Sequence, residues 1–398
     1  MILYLNLYYT LIVFSTKKFF EKINSKNNLL HKGALVLENL QAIVLAGGIS
    51  ERFQTGKTKL IEKICGTEMI LYPVNLLKSL SIPTSIVVGF QHERIKKIIQ
   101  SNNPDITFIL QLAPLGTGHA AQLTKDIWNS DHILLMNGDI PLITPDIINK
   151  LYRQHIKTDA DISFITAHGI DLDSKKYSRV IFNNNKIQIT EEPKNDQDDD
   201  ADQCCISAGI YIAKRSFLTT HIDKLSKNAT TGEFYLPELV KIASDHQCKI
   251  VTTSVSFDIV RSVDTLADLW AIEHIKRSQL MLHWMNQGVR FANTLNILID
   301  EAVKIEPGCY IGSGALLLGK TTIKARTSIG AYTQIENSTI EEQCTIPSHM
   351  IITQSIITKN TKLQAFTQID KYGPQERSDV TFTGAQKTYK PMQTTDIF

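Results

Sequence analysis

Cysteine is scarce in this chain, with six in 398 residues and none in a C-x-x-C pair. Neither a zinc site nor a disulfide framework is written in that spacing, and the adjacent Cys204 and Cys205 read as structural. A reducing, cytoplasmic setting is the expectation. Charge of one sign is also missing. The formal net charge is +2, and no basic patch is interleaved with aromatics, so a nucleic-acid footprint is not expected. No membrane partner is expected either. Residues 1–15 are apolar but short for a bilayer span, and they lack a basic leader and a small-residue cleavage site. An appended strand or helix, or a start codon placed too far upstream, is the expectation there. There is no G-x-S-x-G and no cysteine placed with a histidine, so no covalent nucleophile is visible. The P-loop pattern and the full G-x-G-x-x-G are absent as well.

What is present is enough chain for two domains, 43% apolar and 21% charged. From residue 41 to about 260, short β-branched runs alternate with helical stretches. Strands are expected at 42–46, 85–88, 107–110 and 132–136, with helices over 69–80 and 92–99 and another starting at Gly116. Parallel strands joined by helices of this length make an α/β sandwich, whose ligands sit at the carboxyl ends of the strands. Beyond Asp146 the expectation is a strand at 161–167 and a hairpin around Asn183-Asn184-Asn185. A sheet strand at 207–213, a helix at 233–243, a strand at 249–255 and one or two helices over 263–288 follow. Asp198 to Asp200 with Asp202 read as the solvated face of a polar loop.

Three stretches fall at strand ends. Residues 45–53, LAGGISERF, run from the first strand into a glycine-rich turn, and Arg52 and Lys59 flank that turn closely enough to reach one anion. Backbone N–H groups and a helix N-terminus would favour negative charge there. Residues 111–119, QLAPLGTGH, follow the third strand; Gly116 and Gly118 permit close approach, and Gln111 offers a donor and an acceptor suited to the edge of a base. Thr117 as a helix cap is the plainer reading of the same stretch. Asn137-Gly138-Asp139 follows an apolar strand, where Asp139 could hold Mg²⁺ together with substrate phosphates or simply cap its loop.

The C-terminal part carries a repeat. Ile299, Ile305, Ile311, Leu317, Ile323, Ile329 and Ile335 recur every six residues. After a one-residue slip the pattern resumes as Ile340, Ile346 and Ile352, and after another as Ile357, Leu363 and Ile369. Period six fits neither a helix nor simple strand alternation. It fits a hexapeptide-repeat β-helix in which each flat face contributes one inward aliphatic side chain.

Together these stretches resemble the sugar nucleotidyltransferase family, and within it the bifunctional bacterial N-acetylglucosamine-1-phosphate uridylyltransferase/glucosamine-1-phosphate acetyltransferase group. The family's opening signature, L-[AG]-[AG]-G-x-G-T-R-M followed by P-K, stands here as LAGGISERF with Thr58 and Lys59. Ser50, Glu51, Phe53 and Thr58 replace the family's glycine, threonine, methionine and proline. Q-x-x-x-L-G-T-G-H is matched at 111–119, G-D-x-P-L at 138–142, and Y-G-R-[IV] at 177–180 with Ser178 for the glycine. Glu192 stands in a Glu-Pro-Lys, and Ser207-Ala208-Gly209-Ile210 replaces N-T-G-I.

The resemblance implies a Rossmann-like α/β nucleotidyltransferase domain followed by a short left-handed parallel β-helix. The boundaries it suggests are an extension at 1–38, a catalytic domain at 39–265, a helical linker at 266–293, the β-helix at 294–369 and a polar tail at 370–398. It implies catalytic roles for Arg52 and Lys59, and nucleotide contacts from Leu45, Gly47, Gly48, Gln111, Gly116 and Thr117. Sugar contacts would come from Ser178, Glu192 and Ser207, and Mg²⁺ would bind Asp139 and Asp264. The implied reaction transfers UMP from UTP to N-acetylglucosamine 1-phosphate, releasing pyrophosphate. The β-helix stops short of the family's acetyltransferase residues, so that second activity is expected to be absent and the helix to serve trimer assembly. The alternatives are another sugar 1-phosphate, or a weak UDP-sugar-binding homologue acting as a scaffold.

Overall fold

The structure, a computed structural model, describes residues 37–168, 177–183, 186–190, 205–359, 361, 363–371, 373–375 and 389–391. Leu40–Ala46 (β1), LQAIVLA, is buried at every position, as a central strand covered on both faces must be. Lys63–Ile64 (β2) and Thr67–Glu68 (β3) form a small hairpin. Then come Leu71–Ser79 (α1), Thr84–Val88 (β4), His92–Gln100 (α2), Thr107–Leu110 (β5), Gly116–Gln122 (α3), His132–Asn137 (β6) and Pro145–Thr158 (α4). After these the chain continues through Ile162–His168 (β7), Arg179–Asn183 (β8), Lys186–Thr190 (β9), Cys205–Lys214 (β10), Arg215–His221 (α5), Glu238–Asp245 (α6) and Ile250–Ser256 (β11). Phe257–Val260 (α7) and Leu266–Asn286 (α8) lead into the repeat.

The main sheet runs β11-β7-β10-β6-β1-β4-β5, with β8 and β9 attached through β10. β1 is parallel to both β4 and β6, and β4 to β5. Their carboxyl ends therefore open on one edge, where the three stretches singled out above emerge. β10 departs from the parallel expectation: it lies antiparallel to β6 and β7. The helix expected at 233–243 begins only at Glu238. The backbone of Phe234 is already committed, its N–H to Leu115 O at 2.8 Å and its carbonyl to Gly118 N–H at 2.7 Å.

From residue 290 short parallel strands stack in three sheets, the left-handed hexapeptide β-helix. One face aligns Phe291, Ile311, Ile329 and Ile346; the next Ile299, Leu317, Ile335, Ile352 and Ile369; the third Ile305, Ile323, Ile340 and Ile357. All of these are fully buried except Phe291, which is partly so, as is Leu363. The slips in the repeat are absorbed at corners, where Asn337 and Gln354 take left-handed φ of 47° and 46°. Each skipped residue shortens a corner and leaves the aliphatic stack in register. The described residues of the tail beyond residue 370 include two more short strands. Gly373–Gln375 and Tyr389–Pro391 pair antiparallel to the last coil. Among the described residues no helix is long and apolar enough to cross a membrane.

Candidate active site

The turn after β1 does not lead into an α-helix. Ser50 and Gln54 hold left-handed φ of 65° and 55° around a single 3₁₀ turn, Glu51–Phe53. Reversing hand twice within five residues prevents helical propagation, so the expected helix N-terminus is missing. What this turn can offer an anion is its backbone N–H groups and the side chains of Arg52 and Lys59. A Cβ on Gly47 would lie 2.0 Å from Gln111 Oε1 and displace that side chain, whereas one on Gly48 would meet nothing within 4 Å.

A second 3₁₀ turn, Lys59–Ile61, is started by Thr58, whose hydroxyl accepts from Leu60 N–H. Lys59 N–H donates to Ser50 Oγ at 3.2 Å, which pins the two turns together. The Lys59 ammonium donates to Asp139 Oδ2 at 2.7 Å and to Asp264 Oδ1 at 2.8 Å. Burial alone would lower the Lys59 pKa. The pull of Asp139 and Asp264 and the hydrogen bonds to both outweigh it, and the net shift is upward. Arg52 closes the group from the rim, its Nη2 3.1 Å from Asp264 Oδ2.

Asp139 and Asp264 arrive from distant parts of the chain. Gly138 N–H donates to Leu45 O at 2.9 Å and fastens the loop after β6 to β1. Val263 N–H donates to Asp139 O at 3.2 Å, so the segment entering α8 is stitched to that same loop. A capping box of Thr265 and Asp268 fixes the start of α8 directly after Asp264.

No group of three or more His, Cys, Asp or Glu side chains arranged to hold a metal occurs among the described residues. Mg²⁺ does not need such a cage, because one or two carboxylates and substrate phosphates suffice. Asp139 Oδ1 is buried without a hydrogen-bond partner. An orphaned carboxylate oxygen beside a second carboxylate fits a hard divalent cation.

These groups line a cleft of about 580 Å³ together with Leu45, Gln111, Gly116, Thr117, Ser178 and Ser207. Gln111 Nε2 lies 3.1 Å from Gly116 O and 3.0 Å from His119 Nδ1. Thr117 does not cap its own helix; its hydroxyl accepts from Leu236 N–H at 3.1 Å. Ser207 Oγ is 2.7 Å from Tyr211 OH, and Ser207 N–H donates to Ser178 O at 2.9 Å. A bulge between Ser207 and Tyr211 turns this stretch toward the cleft, with Gly209 at φ 69° and Asn137 packed where its side chain would be. Glu192 lies outside the described residues, as does the acidic run from Asp198.

Sequence reasoning missed Tyr177, Glu233, Tyr235 and Ser262 as lining residues. Tyr177 OH accepts from Ser262 N–H at 2.7 Å. Pro237 within the supposed helix, with Gly232 just before it, was the available signal for Glu233 and Tyr235.

Residues 42–193 match the family model described as the MobA-like NTP transferase domain. The matched stretch holds all of the named cleft residues except those from Ser207 onward. Residues 294–390 match the GMPPB C-terminal domain, in place of the truncated acetyltransferase half that the family resemblance implied. Among curated relatives, the bifunctional protein GlmU of a Nitratiruptor species is 29% identical over 333 residues, 84% of this chain and 76% of its own length. That of Thermosipho africanus is 29% identical over 357 residues, 88% and 75% of the two chains. The similarity to GlmU-type proteins thus runs across both parts of the chain.

Proposed function

We propose that this cleft transfers a nucleotidyl group from a nucleoside triphosphate to a sugar 1-phosphate. The carrying observation is the Lys59 ammonium held between Asp139 and Asp264 beside a glycine-rich turn. A phosphate oxygen of the acceptor attacks the α-phosphorus, the bond from that phosphorus to the bridging oxygen breaks, and pyrophosphate leaves. Lys59 neutralises charge developing on the α-phosphate, and Arg52 holds the departing phosphates. Asp139 and Asp264 would hold Mg²⁺, which when bound neutralises phosphate charge. Substrate phosphates would draw Lys59 from the carboxylates that would hold the cation, so the bridge it makes to Asp139 and Asp264 is read as a resting arrangement.

Gln111 fits base recognition, with UTP as the expected donor. The sugar is left broader than N-acetylglucosamine 1-phosphate. The Ser207 hydroxyl is already engaged by Tyr211, and the C-terminal match is to the GMPPB C-terminal domain. A trimer assembled through the β-helix goes with this reading, and sedimentation of the full chain checks it.

The deciding experiment is a pyrophosphate-release assay over a panel of nucleoside triphosphates and sugar 1-phosphates with Mg²⁺. Turnover with one pair well above the others is expected. Nucleotide-sugar binding with no turnover of any pair would replace the reading with that of a non-catalytic binding homologue.

A further inference from the structure

Lys59 sits on a segment that has no long element of its own. Two backbone bonds tie that segment to the hairpin: Met69 N–H to Glu62 O at 2.8 Å and Ile70 N–H to Leu60 O at 3.0 Å. The hairpin β2–β3 turns through Cys65 and Gly66 at φ 45° and 78°, the two left-handed conformations a tight two-residue turn requires. Its tip does not end in solvent. Glu301 N–H, in the first coil of the β-helix, donates to Cys65 O at 2.8 Å. The Asp300 carboxylate fills the space a Gly66 side chain would need, so that a Cβ there would lie 2.2 Å from Asp300 Cγ. Asp300 is itself fixed by Gly319 N–H, 2.7 Å from its Oδ2 and one coil further on. Behind the hairpin, Tyr72 OH donates to Ile64 O at 2.6 Å. Lys276 lies over the Tyr72 ring, 5.0 Å from its centroid, and pairs with Glu301 at 2.9 Å.

We propose that Asp300 and Glu301 are positioning residues for Lys59: the first β-helix coil holds the hairpin, and the hairpin sets where the ammonium stands between Asp139 and Asp264. Leu60 and Ile64 anchor the segment in the core of its own domain, and the β-helix adds a rigid restraint at the hairpin tip, where local opening would otherwise begin. Strain or assembly of that helix is thereby felt in the cleft. The catalytic meaning of this brace rests on the function proposed above, but the clamping of Lys59 does not.

The test uses a single lost N–H. Glu301 is the second residue of a β-turn closed by Val303 N–H to Asp300 O at 3.1 Å, and proline suits that position. Glu301→Pro therefore removes the donor to Cys65 while keeping the turn. Glu301→Ala is the reference, since it loses the same carboxylate but keeps the N–H. In the full chain without substrates, acylation of Lys59 by an amine-reactive acetyl ester is followed by peptide mass spectrometry. Lys59 is expected to react about fivefold faster in Glu301→Pro than in Glu301→Ala, the change in local opening expected for one lost hydrogen bond. With substrates, kcat is expected to fall by a similar factor, with the nucleotide KM nearly constant. Equal acylation rates in the two variants would overturn the proposal. Faster acylation in a protein that turns over no substrate pair would leave the brace standing and remove the transferase reading instead. Should Glu301→Pro fail to fold, Asp300→Ala, which empties the space against Gly66 while keeping the Glu301 N–H, decides the matter by the same measurement against the wild type; faster acylation supports the brace and an unchanged rate sinks it.

Discussion

Lys59 and Asp264 lie 205 positions apart in the chain and 2.8 Å apart in space. The same ammonium reaches Asp139, and the three side chains meet where the glycine-rich turn, the loop after β6 and the start of α8 converge. A lysine bracketed by two carboxylates is a charge arrangement that a metal ion and a triphosphate can take over.

Lys59→Ala and Asp139→Ala are each expected to lower kcat by about 100-fold or more, as when a preorganised charge-stabilising group is removed from a phosphate transition state. Pyrophosphate release at saturating substrate measures it. Full activity in either variant would remove that residue from the reaction.

Gly47→Ala and Gly48→Ala separate packing from ligand approach. The first must displace Gln111, whose Oε1 lies 2.0 Å from the added carbon, and is expected to lower both thermal stability and nucleotide affinity. The second has open space, so its melting temperature should stay with the wild type, and any loss of nucleotide affinity reports direct approach of the ligand. A Gly47→Ala protein that matches the wild type in both measurements would contradict the packing.

Acid stability should depend on His155. Its ring is buried, with Nε2 3.0 Å from His132 Nδ1 and Nδ1 2.8 Å from Ser163 Oγ. Burial first, then His132 and Lys214, lower its pKa to about 4, while Asp161 and Asp159 pull the other way. The unfolded chain therefore takes up this proton at a higher pH than the folded one. The contribution is complete above about pH 6.5 and is lost as pH falls toward 4, roughly 3 kcal/mol in all. Denaturant unfolding at pH 7 and pH 4.5 should show a smaller difference in His155→Gln than in the wild type. An identical difference would mean that other groups set the acid limb.

The β-helix corner carries a stacked ladder, Tyr332 on His349 and His349 on Phe366, with centroids 5.4 and 5.0 Å apart. His349→Ala breaks both contacts and is expected to cost about 1–2 kcal/mol. A double-mutant cycle with Phe366→Ala read by thermal unfolding would show coupling, and strict additivity would argue against it.

Much of this was legible in advance. The period-six aliphatics located the β-helix because an inward position on a flat face tolerates little else, and a skipped corner residue leaves that pattern visible. The apolar runs ending at Ala46, Val88 and Met136 announced parallel strands because buried strands must be apolar on both faces. Less legible was β10, since antiparallel pairing leaves no mark on composition. The 3₁₀ turns after Gly48 were missed for a related reason: left-handed φ at Ser50 and Gln54 is a choice of the surrounding loop and is not written in those residue types. The chain of amino acids alone determined which segments are strands, where the repeat lies and that Arg52, Lys59 and Asp139 sit at strand ends, because burial periodicity and turn chemistry are local. Asp264 was placed with Asp139 only through the family resemblance, and only the tertiary structure decided that it meets Lys59, that residues 233–237 wall the cleft and that the β-helix grips the Lys59 hairpin. Those relations depend on how distant backbone groups satisfy one another, and no stretch of sequence contains both partners.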